Sequence, residues 1–354
     1  MPAVTAELAA IWRYFADTSC GTYSPLYDRI ARTVAADDGV LGLIAEAPAH
    51  AHLPTDFMAC VHYLVLGAPD HPLVEIYTGR SDSDPGPVFV DFCLGRRREL
   101  LELLAGHHTN TNEVGRSAVL VPAITAVARR HGEPVALVDV GCSAGVNLFC
   151  DRYLIDYGSA GTTGDAHAAV RISCQITGGD PPIAPRVPTI AARVGIDIDP
   201  VDLSVDDNVR WQLACVWPDT GRLARTRLAL EEVRRAPPHI VEGDAVDAVG
   251  EVVAGLAPEV VPVVVTTWAL AYLAPERRLA FRQALVSAAP ERTVAWISAE
   301  GGGVVDIPGG ADAPSDGGGI RASVLGLVTA RGGRAGAELL GYCHPHGSWL
   351  DWRA

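Results

Sequence analysis

The chain has no lysine among its 354 residues, and this absence excludes several kinds of enzyme. A pyridoxal Schiff base and a lysine-dependent aldolase both need a lysine amine, and a Walker A phosphate loop needs a lysine beside its glycines. Clustered positive charge is missing as well, since the net charge is −14 and basic runs such as Arg96–Arg98 lie among acidic residues. Nucleic-acid surfaces need such clusters, so we expect no nucleic-acid partner.

Paired cysteine motifs and long apolar runs are absent too. None of the eight cysteines forms a C-x-x-C pair, which excludes a zinc ribbon and a thioredoxin-type motif. The N-terminus lacks the basic and apolar segments of a signal peptide. The most apolar run, Val260–Leu273, is too short to cross a bilayer and contains Pro262. We therefore expect a cytoplasmic protein with buried free thiols and no membrane partner.

The hydrophobic pattern changes near residue 110, which predicts two regions. Residues 1–110 show apolar residues at helical spacing and are predicted to form a helical N-terminal cap region. In residues 111–354, short β-branched runs alternate with helical stretches, which favours a mostly parallel sheet covered by helices. Seven runs predict strands: Val135–Val140, Ala192–Ile198, His239–Val241, Val261–Thr267, Thr293–Ser298, Val324–Val328 and Ala337–Tyr342.

The last two predicted strands are separated by a glycine-rich turn, which indicates an antiparallel hairpin closing the sheet. That direction would place His344 and His346 away from the ligand-binding edge, and their spacing does not match a zinc site, so we expect no metal. Residues 157–191, rich in glycine and proline, are predicted to be an insertion with a short strand pair near Val170–Ile176. Residues 301–319 are predicted to be a mobile loop that acts as a lid.

The segment after the first strand carries the main functional signal. An apolar strand ends in Asp139 and continues into a loop of small residues, Gly141, Ser143 and Gly145. Small residues let the backbone approach a ligand, and an acid directly before the loop can orient the loop and a ligand ammonium group. In dinucleotide folds the acid lies about 20 residues later and the glycines contact pyrophosphate. The alternative is a turn whose small residues serve only tight packing.

This segment resembles the first motif of class I S-adenosylmethionine-dependent methyltransferases, an acid followed by three alternating glycines, with Ser143 at the middle glycine. The resemblance implies a Rossmann-like seven-stranded α/β sheet, mostly parallel with the last hairpin antiparallel, and S-adenosylmethionine as cofactor. The chain is also similar, along most of its length, to an uncharacterised bacterial family, domain of unknown function 2332. That similarity rests on the strings TNEVGRSA, DVGCSAGVNL, GIDIDPVDL, WQLACVWPD, EGDA and CHPHGSWLDW.

The methyltransferase resemblance assigns further cofactor-binding residues by their order along the chain. Asp197 or Asp199, after the second strand, would meet the ribose hydroxyls, and Asp199 is favoured because it is nearer the loop; an ordinary Asp-Pro turn is the alternative. Asp244 and Ala245, after the third strand, would meet the adenine, although a helix cap is equally consistent with them.

Residues near the methyl group are assigned in the same way. Arg116, in the helix before the first strand, would pair with the cofactor carboxylate. A surface pair of Glu113 and Arg116 is the alternative, and Thr111 or Asn112 is the expected cap of that helix. Thr267, Trp268 and Tyr272 would shape the acceptor pocket, and Glu300 would bind substrate or take a proton. Helix packing and a structural carboxylate are the alternatives for Trp268, Tyr272 and Glu300.

Together these features predict a methyltransferase that transfers a methyl group from S-adenosylmethionine directly to a small molecule. The Asn/Asp-Pro-Pro-aromatic motif of many amino-group methyltransferases is absent after the fourth strand, which favours a small-molecule acceptor. Two alternatives stay open: a non-catalytic protein that binds the cofactor on the same fold, and a nicotinamide-dependent oxidoreductase. The acceptor and the oligomeric state are not predicted.

Overall fold

The structure is a computed structural model that describes residues 2–21, 23–288, 290–314 and 321–354. The chain divides into two compact units. The first contains the described residues of 1–111 and 204–227, and the second contains those of 112–203, 228–316 and 321–354. Residues 204–227, which the sequence analysis assigns to the second domain, therefore belong to the first unit.

The α-helices of the described residues are α1 Pro2–Phe15, α2 Pro25–Val34, α3 Asp38–Glu46, α4 Pro54–Leu66, α5 Pro72–Tyr77, α6 Pro85–Gly95, α7 Arg97–Gly106, α8 Ser117–His131, α9 Asp206–Ala214, α10 Leu223–Arg235, α11 Ala245–Gly255 and α12 Pro275–Ala288. The strands are β1 Val135–Val140, β2 Leu154–Asp156, β3 Thr162–Thr163, β4 Arg171–Ser173, β5 Gln175–Gly178, β6 Ile190–Asp197, β7 His239–Glu242, β8 Val261–Thr267, β9 Val294–Glu300, β10 Ser323–Arg331, β11 Arg334–Cys343 and β12 Trp349–Trp352.

The first unit is helical, and its helix starts follow from local chemistry. Helices α2, α4, α5 and α6 carry proline in the first turn, where the missing amide proton has no intrahelical partner to lose. Side chains also cap helix starts in this unit: Ser24, before α2, accepts a hydrogen bond from the Tyr27 amide at 3.2 Å, and Asp37, before α3, accepts one from the Val40 amide at 2.8 Å. Buried side chains from α1 to α7 and α9 form one core, in which Trp12 and Phe57 pack edge to face.

The second unit contains a nine-stranded sheet in the order β5-β12-β11-β10-β9-β8-β1-β6-β7. All seven predicted strands lie in it, but β5 and β12 extend it, so the predicted number of seven is wrong. The added strands have only four residues each, and β5 alternates between exposed and half-buried residues, so neither has an apolar run of the length that predicts a strand. The predicted strand pair near Val170–Ile176 corresponds to β4 and β5, which belong to different sheets, because β4 pairs with β2 in a separate three-stranded sheet.

The direction of the last strands differs from the prediction in a way that matters for the site. Strands β7, β6, β1, β8 and β9 are parallel. Strand β10 turns back antiparallel to β9, and β11 turns again antiparallel to β10. Strand β11 therefore ends at the same edge as the five parallel strands. The β10–β11 hairpin is antiparallel as predicted, but it does not close the sheet, since β12 and β5 follow.

The cysteines and the predicted mobile loop can be compared with the structure. All eight cysteines are buried and free. Residues 315–319 of the predicted mobile loop lie outside the described residues, while Ile307, in the described part of that loop, is buried against the sheet. Among the described helices, none has the length and apolar character needed to span a membrane.

Candidate functional site at the carboxyl edge of the sheet

The loop after β1 is held by hydrogen bonds within the protein. Gly141, Ser143 and Gly145 have φ values of 72°, 52° and 79°, in the left-handed region that favours glycine. The Gly141 amide donates to the Ile196 carbonyl at 2.8 Å, and the Ser143 amide donates to Asp197 Oδ2 at 2.7 Å. The Gly145 amide donates to the Cys142 carbonyl at 2.7 Å. These three amides are therefore already used and are not offered to a ligand.

The expected helix after this loop is a 3₁₀ helix, Val146–Arg152, with a kink at Phe149. A short kinked helix of this kind lacks the aligned amides and the long dipole that make an α-helix start an anion site. Gly141 also needs to be glycine, because a Cβ there would lie 2.6 Å from the Ala269 Cβ. The loops after β1 and β8 are thus in close contact.

Asp139, near the carboxyl end of β1, is a buried carboxylate to which no described residue donates a hydrogen bond. Its side chain is only 2% exposed, and it makes no hydrogen bond with any described residue. Burial raises its pKa from 3.8 to about 7; Arg116 opposes this rise and Asp197 adds to it. A buried acceptor of this kind favours a cationic ligand, which would supply the missing partner.

This pKa predicts a pH dependence of stability. The unfolded chain releases the Asp139 proton near pH 4, whereas the folded protein holds it up to about pH 7. Over that window the Asp139 contribution to the free energy of unfolding should fall as the pH rises, by roughly 2 to 4 kcal/mol. Asp139→Asn removes this contribution, so the variant should gain stability relative to wild type between pH 5 and pH 8. Thermal unfolding of both proteins at the two pH values tests it, and a constant difference in melting temperature would contradict it.

Arg116 lies between the loops that follow β8 and β11. Its Nε donates to the Pro345 carbonyl at 3.0 Å, and its Nη1 donates to the Thr267 carbonyl at 3.0 Å and to Thr267 Oγ1 at 3.4 Å. Burial lowers its pKa, while Glu113, Glu300 and Asp139 raise it. Arg116 makes no salt bridge with a described residue, and its hydrogen bonds to described residues go to neutral oxygens. Its charge is fixed in place by neutral carbonyls and is available to an anionic group.

Glu113 is not the surface partner of Arg116 that the alternative interpretation required. It is only 3% exposed, and its Oε1 accepts a hydrogen bond from the Gly115 amide at 2.8 Å. Its Oε2 lies 3.5 Å from His346 Nδ1. The expected caps are also wrong, since Glu113 caps the 3₁₀ turn Val114–Arg116 and the Asn112 side chain donates to the Cys142 carbonyl instead.

The turn that follows β11 lies at the same edge, contrary to the prediction for His344 and His346. The prediction failed because β10 reverses along β9 and so reverses the direction of β11. His344 Nδ1 accepts a hydrogen bond from the His346 amide at 3.0 Å, which fixes the turn. Gly347 then lies directly against the Gly115 backbone. This contact joins the turn to the segment that carries Glu113 and Arg116.

Substitution of Gly347 should show how tightly the turn is packed. Gly347 and Gly333 both have φ near +72°, but a Cβ at Gly347 would overlap the Gly115 carbonyl, whereas a Cβ at Gly333 meets open space. Gly333→Ala should cost about 1 kcal/mol for the left-handed conformation alone. Gly347→Ala should cost at least about 2 kcal/mol more, because the backbone must move. Thermal unfolding compares the two, and equal losses would show that the turn is loosely packed.

The loop after β8 is organised by Glu300, at the end of β9. Glu300 is 1% exposed, and its Oε1 accepts hydrogen bonds from the Ala269 and Leu270 amides at 3.0 Å and 3.1 Å. Its Oε2 is buried and has no hydrogen-bond partner among the described residues. Burial raises the pKa of Glu300, against the two amides and Arg116. Glu300 thus supports the loop and keeps one unpaired oxygen.

The aromatic residues of this loop differ in exposure. Trp268 is half-buried, and its indole nitrogen donates to Ser323 Oγ at 2.7 Å. Its φ of 56° is unusual for a bulky side chain, and such strain, of order 1–3 kcal/mol, is concentrated at functional sites. Tyr272, in the 3₁₀ helix Leu270–Tyr272, is 87% exposed. The helix-packing alternative therefore does not describe Tyr272.

The acids after β6 and β7 are placed differently from one another. Asp197 is buried, and its two oxygens accept the amides of Ser143 and Asp199 at 2.7 Å and 3.0 Å. Asp199 is exposed on the loop. Asp244 caps α11 by accepting the Val246 amide at 2.8 Å, and it also accepts a hydrogen bond from Arg277. Ala245 is the first residue of that helix.

The predicted residues therefore fall into two groups. Thr267 accepts hydrogen bonds from the Arg116 guanidinium, and Asp139, Glu300 and Tyr272 are near enough to affect its pKa, while Asp199 and Asp244 follow strands farther along the same edge. Glu113 and His346 were not predicted to belong to the site. Their signal was present in the strings TNEVGRSA and CHPHGSWLDW, but only the direction of β11 brings the two together.

Comparison with known proteins adds the family of the chain. The fold and the site define an α/β protein whose candidate site lies at the carboxyl edge of its sheet. The chain belongs to a bacterial family described as "Uncharacterized protein conserved in bacteria (DUF2332)", whose family model matches residues 9–352. Neither the curated proteins nor the solved structures contain a match to the chain.

Proposed function

We propose that the carboxyl edge binds S-adenosylmethionine and that the protein transfers its methyl group to a small molecule. The observation that carries the proposal is a pair of buried charges without a counter-ion at hydrogen-bond distance among the described residues: the Asp139 carboxylate, which accepts no hydrogen bond from them, and the Arg116 guanidinium, which bonds only to neutral oxygens. The amino acid end of S-adenosylmethionine carries an ammonium and a carboxylate. It complements both charges.

The geometry of the loop favours this ligand over a nicotinamide dinucleotide. Pyrophosphate needs free amides or an α-helix start, whereas the Gly141, Ser143 and Gly145 amides are used within the protein and a 3₁₀ helix follows. Asp139, Glu113 and Glu300 also concentrate negative charge near Arg116. An anionic pyrophosphate would be repelled there, while the ammonium and the sulfonium of S-adenosylmethionine would be attracted.

The choice of the ribose partner depends on which acids are already hydrogen-bonded within the protein. Both oxygens of Asp197 accept backbone amides, so Asp197 holds the loop, and the exposed Asp199 is the better partner for the ribose hydroxyls. Asp244 and Ala245, at the start of α11, would border the adenine. Asp244 serves as a helix cap at the same time, so this assignment rests on strand order alone.

The protein would need to align the methyl donor with the acceptor and to exclude water from the site. When bound, S-adenosylmethionine supplies a methyl group that is already activated by its positive sulfur. Asp139 and Arg116 would orient the amino acid end, and the Trp268 ring would border the acceptor beside Thr267 and Tyr272. Glu300 holds the loop that carries Trp268.

Calorimetric titration with S-adenosylmethionine, S-adenosylhomocysteine, NAD and NADH tests the proposal. We expect micromolar affinity for the first two and no heat of binding for the nicotinamides, because the loop offers no free amides to pyrophosphate. Binding of NAD in preference to both S-adenosyl compounds would contradict it. Release of S-adenosylhomocysteine with a panel of small acceptors then separates an enzyme from a non-catalytic binder.

A further inference from the structure

A buried carboxylate and a partly exposed imidazole face each other beside the proposed site. Glu113 Oε2 lies 3.5 Å from His346 Nδ1, with the glutamate side chain 3% exposed and the histidine side chain 24% exposed. The other oxygen of Glu113 is fixed by the Gly115 amide at 2.8 Å. The carboxylate is therefore held in place, while the imidazole is within reach of a ligand.

The turn that carries His346 is fixed at three points. The His346 amide donates to His344 Nδ1, the Pro345 carbonyl accepts from Arg116 Nε, and Gly347 packs against the Gly115 backbone. Arg116 also bonds to Thr267, at the end of β8. The histidine is thus tied to the same arginine that we propose as the partner of the cofactor carboxylate.

The charged and titratable groups around His346 define its chemistry. Glu113 and Arg116 face it from the 113–116 turn, and His344 faces it from its own turn. A carboxylate next to Nδ1 holds the proton on that nitrogen and leaves Nε2 as a proton acceptor. Glu113 also stabilises the imidazolium that forms when Nε2 takes a proton, against the opposing charge of Arg116.

We propose that His346 accepts the proton of the methyl acceptor, that Glu113 positions it, and that the acceptor is a hydroxyl compound. This inference rests on the proposed function. In the step, the acceptor oxygen bonds to the methyl carbon while the carbon–sulfur bond breaks and its electron pair stays on sulfur. The hydroxyl proton moves to His346 Nε2 and then to solvent. The products are a methyl ether, a neutral thioether and one proton.

The need for a base selects the hydroxyl class. A carboxylic acid acceptor is already ionised at neutral pH, and an amine that binds in its neutral form attacks through its own lone pair and loses its proton afterwards. A neutral hydroxyl is a weak nucleophile until its proton is withdrawn, and a positioned base contributes about 10²- to 10⁴-fold to such a step. A histidine oriented by a buried carboxylate meets this need, which a carboxylate and a neutral amine do not have.

The Glu113–His346 coupling is tested by NMR of ¹⁵N-histidine-labelled protein. Glu113→Gln keeps an oxygen for the Gly115 amide but removes the charge that faces His346. The titration midpoint of His346 should fall by at least about 0.5 pH unit in this variant. The exposed His167 serves as the control and should not shift. An unchanged midpoint for His346 would overturn the positioning role.

The acceptor class is tested by the release of S-adenosylhomocysteine with hydroxyl, carboxylate and amine compounds. We expect turnover with a hydroxyl compound, a fall in kcat of about 100-fold in His346→Asn and of about tenfold in Glu113→Gln. The Kd for S-adenosylmethionine should stay within about twofold in His346→Asn, since His346 does not contact the cofactor. Turnover with carboxylates or amines only, no turnover with any hydroxyl compound, or an unchanged kcat in His346→Asn would overturn the inference. Failure of the wild-type protein to bind S-adenosylmethionine would instead overturn the proposed function.

Discussion

Asp139→Asn should weaken S-adenosylmethionine binding about 100-fold at pH 8, which corresponds to roughly 2.7 kcal/mol. The variant keeps the size of the side chain and loses the charge, so the ligand ammonium exchanges a charge-assisted hydrogen bond for a neutral one in a buried position. The stability of the free protein should rise in the same variant, because a buried carboxylate without a partner is removed. Loss of affinity together with a gain in stability is the pattern expected of a binding residue and not of a structural one.

The pH dependence of binding gives a second test of the role of Asp139. Because the pKa of Asp139 is about 7 in the free protein, the ligand must displace a proton below that pH. Affinity should fall about tenfold for each pH unit below 7 in the wild type and stay nearly flat in Asp139→Asn. Asp156→Asn is the matched control, since Asp156 is exposed and an asparagine there can still accept the Gly158 amide. Equal affinity of wild type and Asp139→Asn at pH 8 would contradict the role of Asp139.

Arg116→Gln should weaken S-adenosylmethionine binding about 100-fold and leave the binding of decarboxylated S-adenosylmethionine within about threefold of wild type. The arginine charge acts on the carboxylate, and the decarboxylated compound has none. Titration of both ligands therefore separates loss of the contact from loss of the fold, because a misfolded site would lose both.

A matched arginine controls for the hydrogen bonds that Arg116 makes to backbone carbonyls. Arg278 also donates to carbonyls of the loop after β8, at 3.0 Å to Leu270, 2.9 Å to Leu273 and 3.1 Å to Ala271. Arg278→Gln should lower the melting temperature without separating the two ligands. If Arg116→Gln weakens both ligands equally, Arg116 is a structural residue and the proposed orientation of the cofactor is wrong.

The loop after β1 could be predicted from sequence because its signals are local. A buried apolar strand, an acid at its end and alternating small residues lie within eleven consecutive positions, 135–145, and they fix both the strand and the left-handed turn. The seven main strands were predictable for the same reason, since most of them are local runs of apolar residues. Strands β5 and β12 were not, because they are stabilised by their neighbours in the sheet and not by their own composition.

The other half of the site depends on contacts between distant parts of the chain. Glu113 and His346 are 233 positions apart in sequence, and only the reversal of β10 along β9 brings the turn after β11 to the edge where Arg116 lies. A count of strands cannot give this direction, because a parallel and an antiparallel β10 have the same apolar pattern. The choice between Asp197 and Asp199 as the ribose partner could not be predicted for the same reason. It depends on which loop amides donate to the Asp197 carboxylate.

The most direct test is a crystal structure of the protein with S-adenosylhomocysteine bound. The ligand ammonium should lie within about 3 Å of an Asp139 carboxylate oxygen, and the ligand carboxylate at the same distance from the Arg116 guanidinium. The ribose should lie beside Asp199, after the carboxyl end of β6. A ligand bound elsewhere, or one that leaves Asp139 and Arg116 without contact, would contradict the central claim.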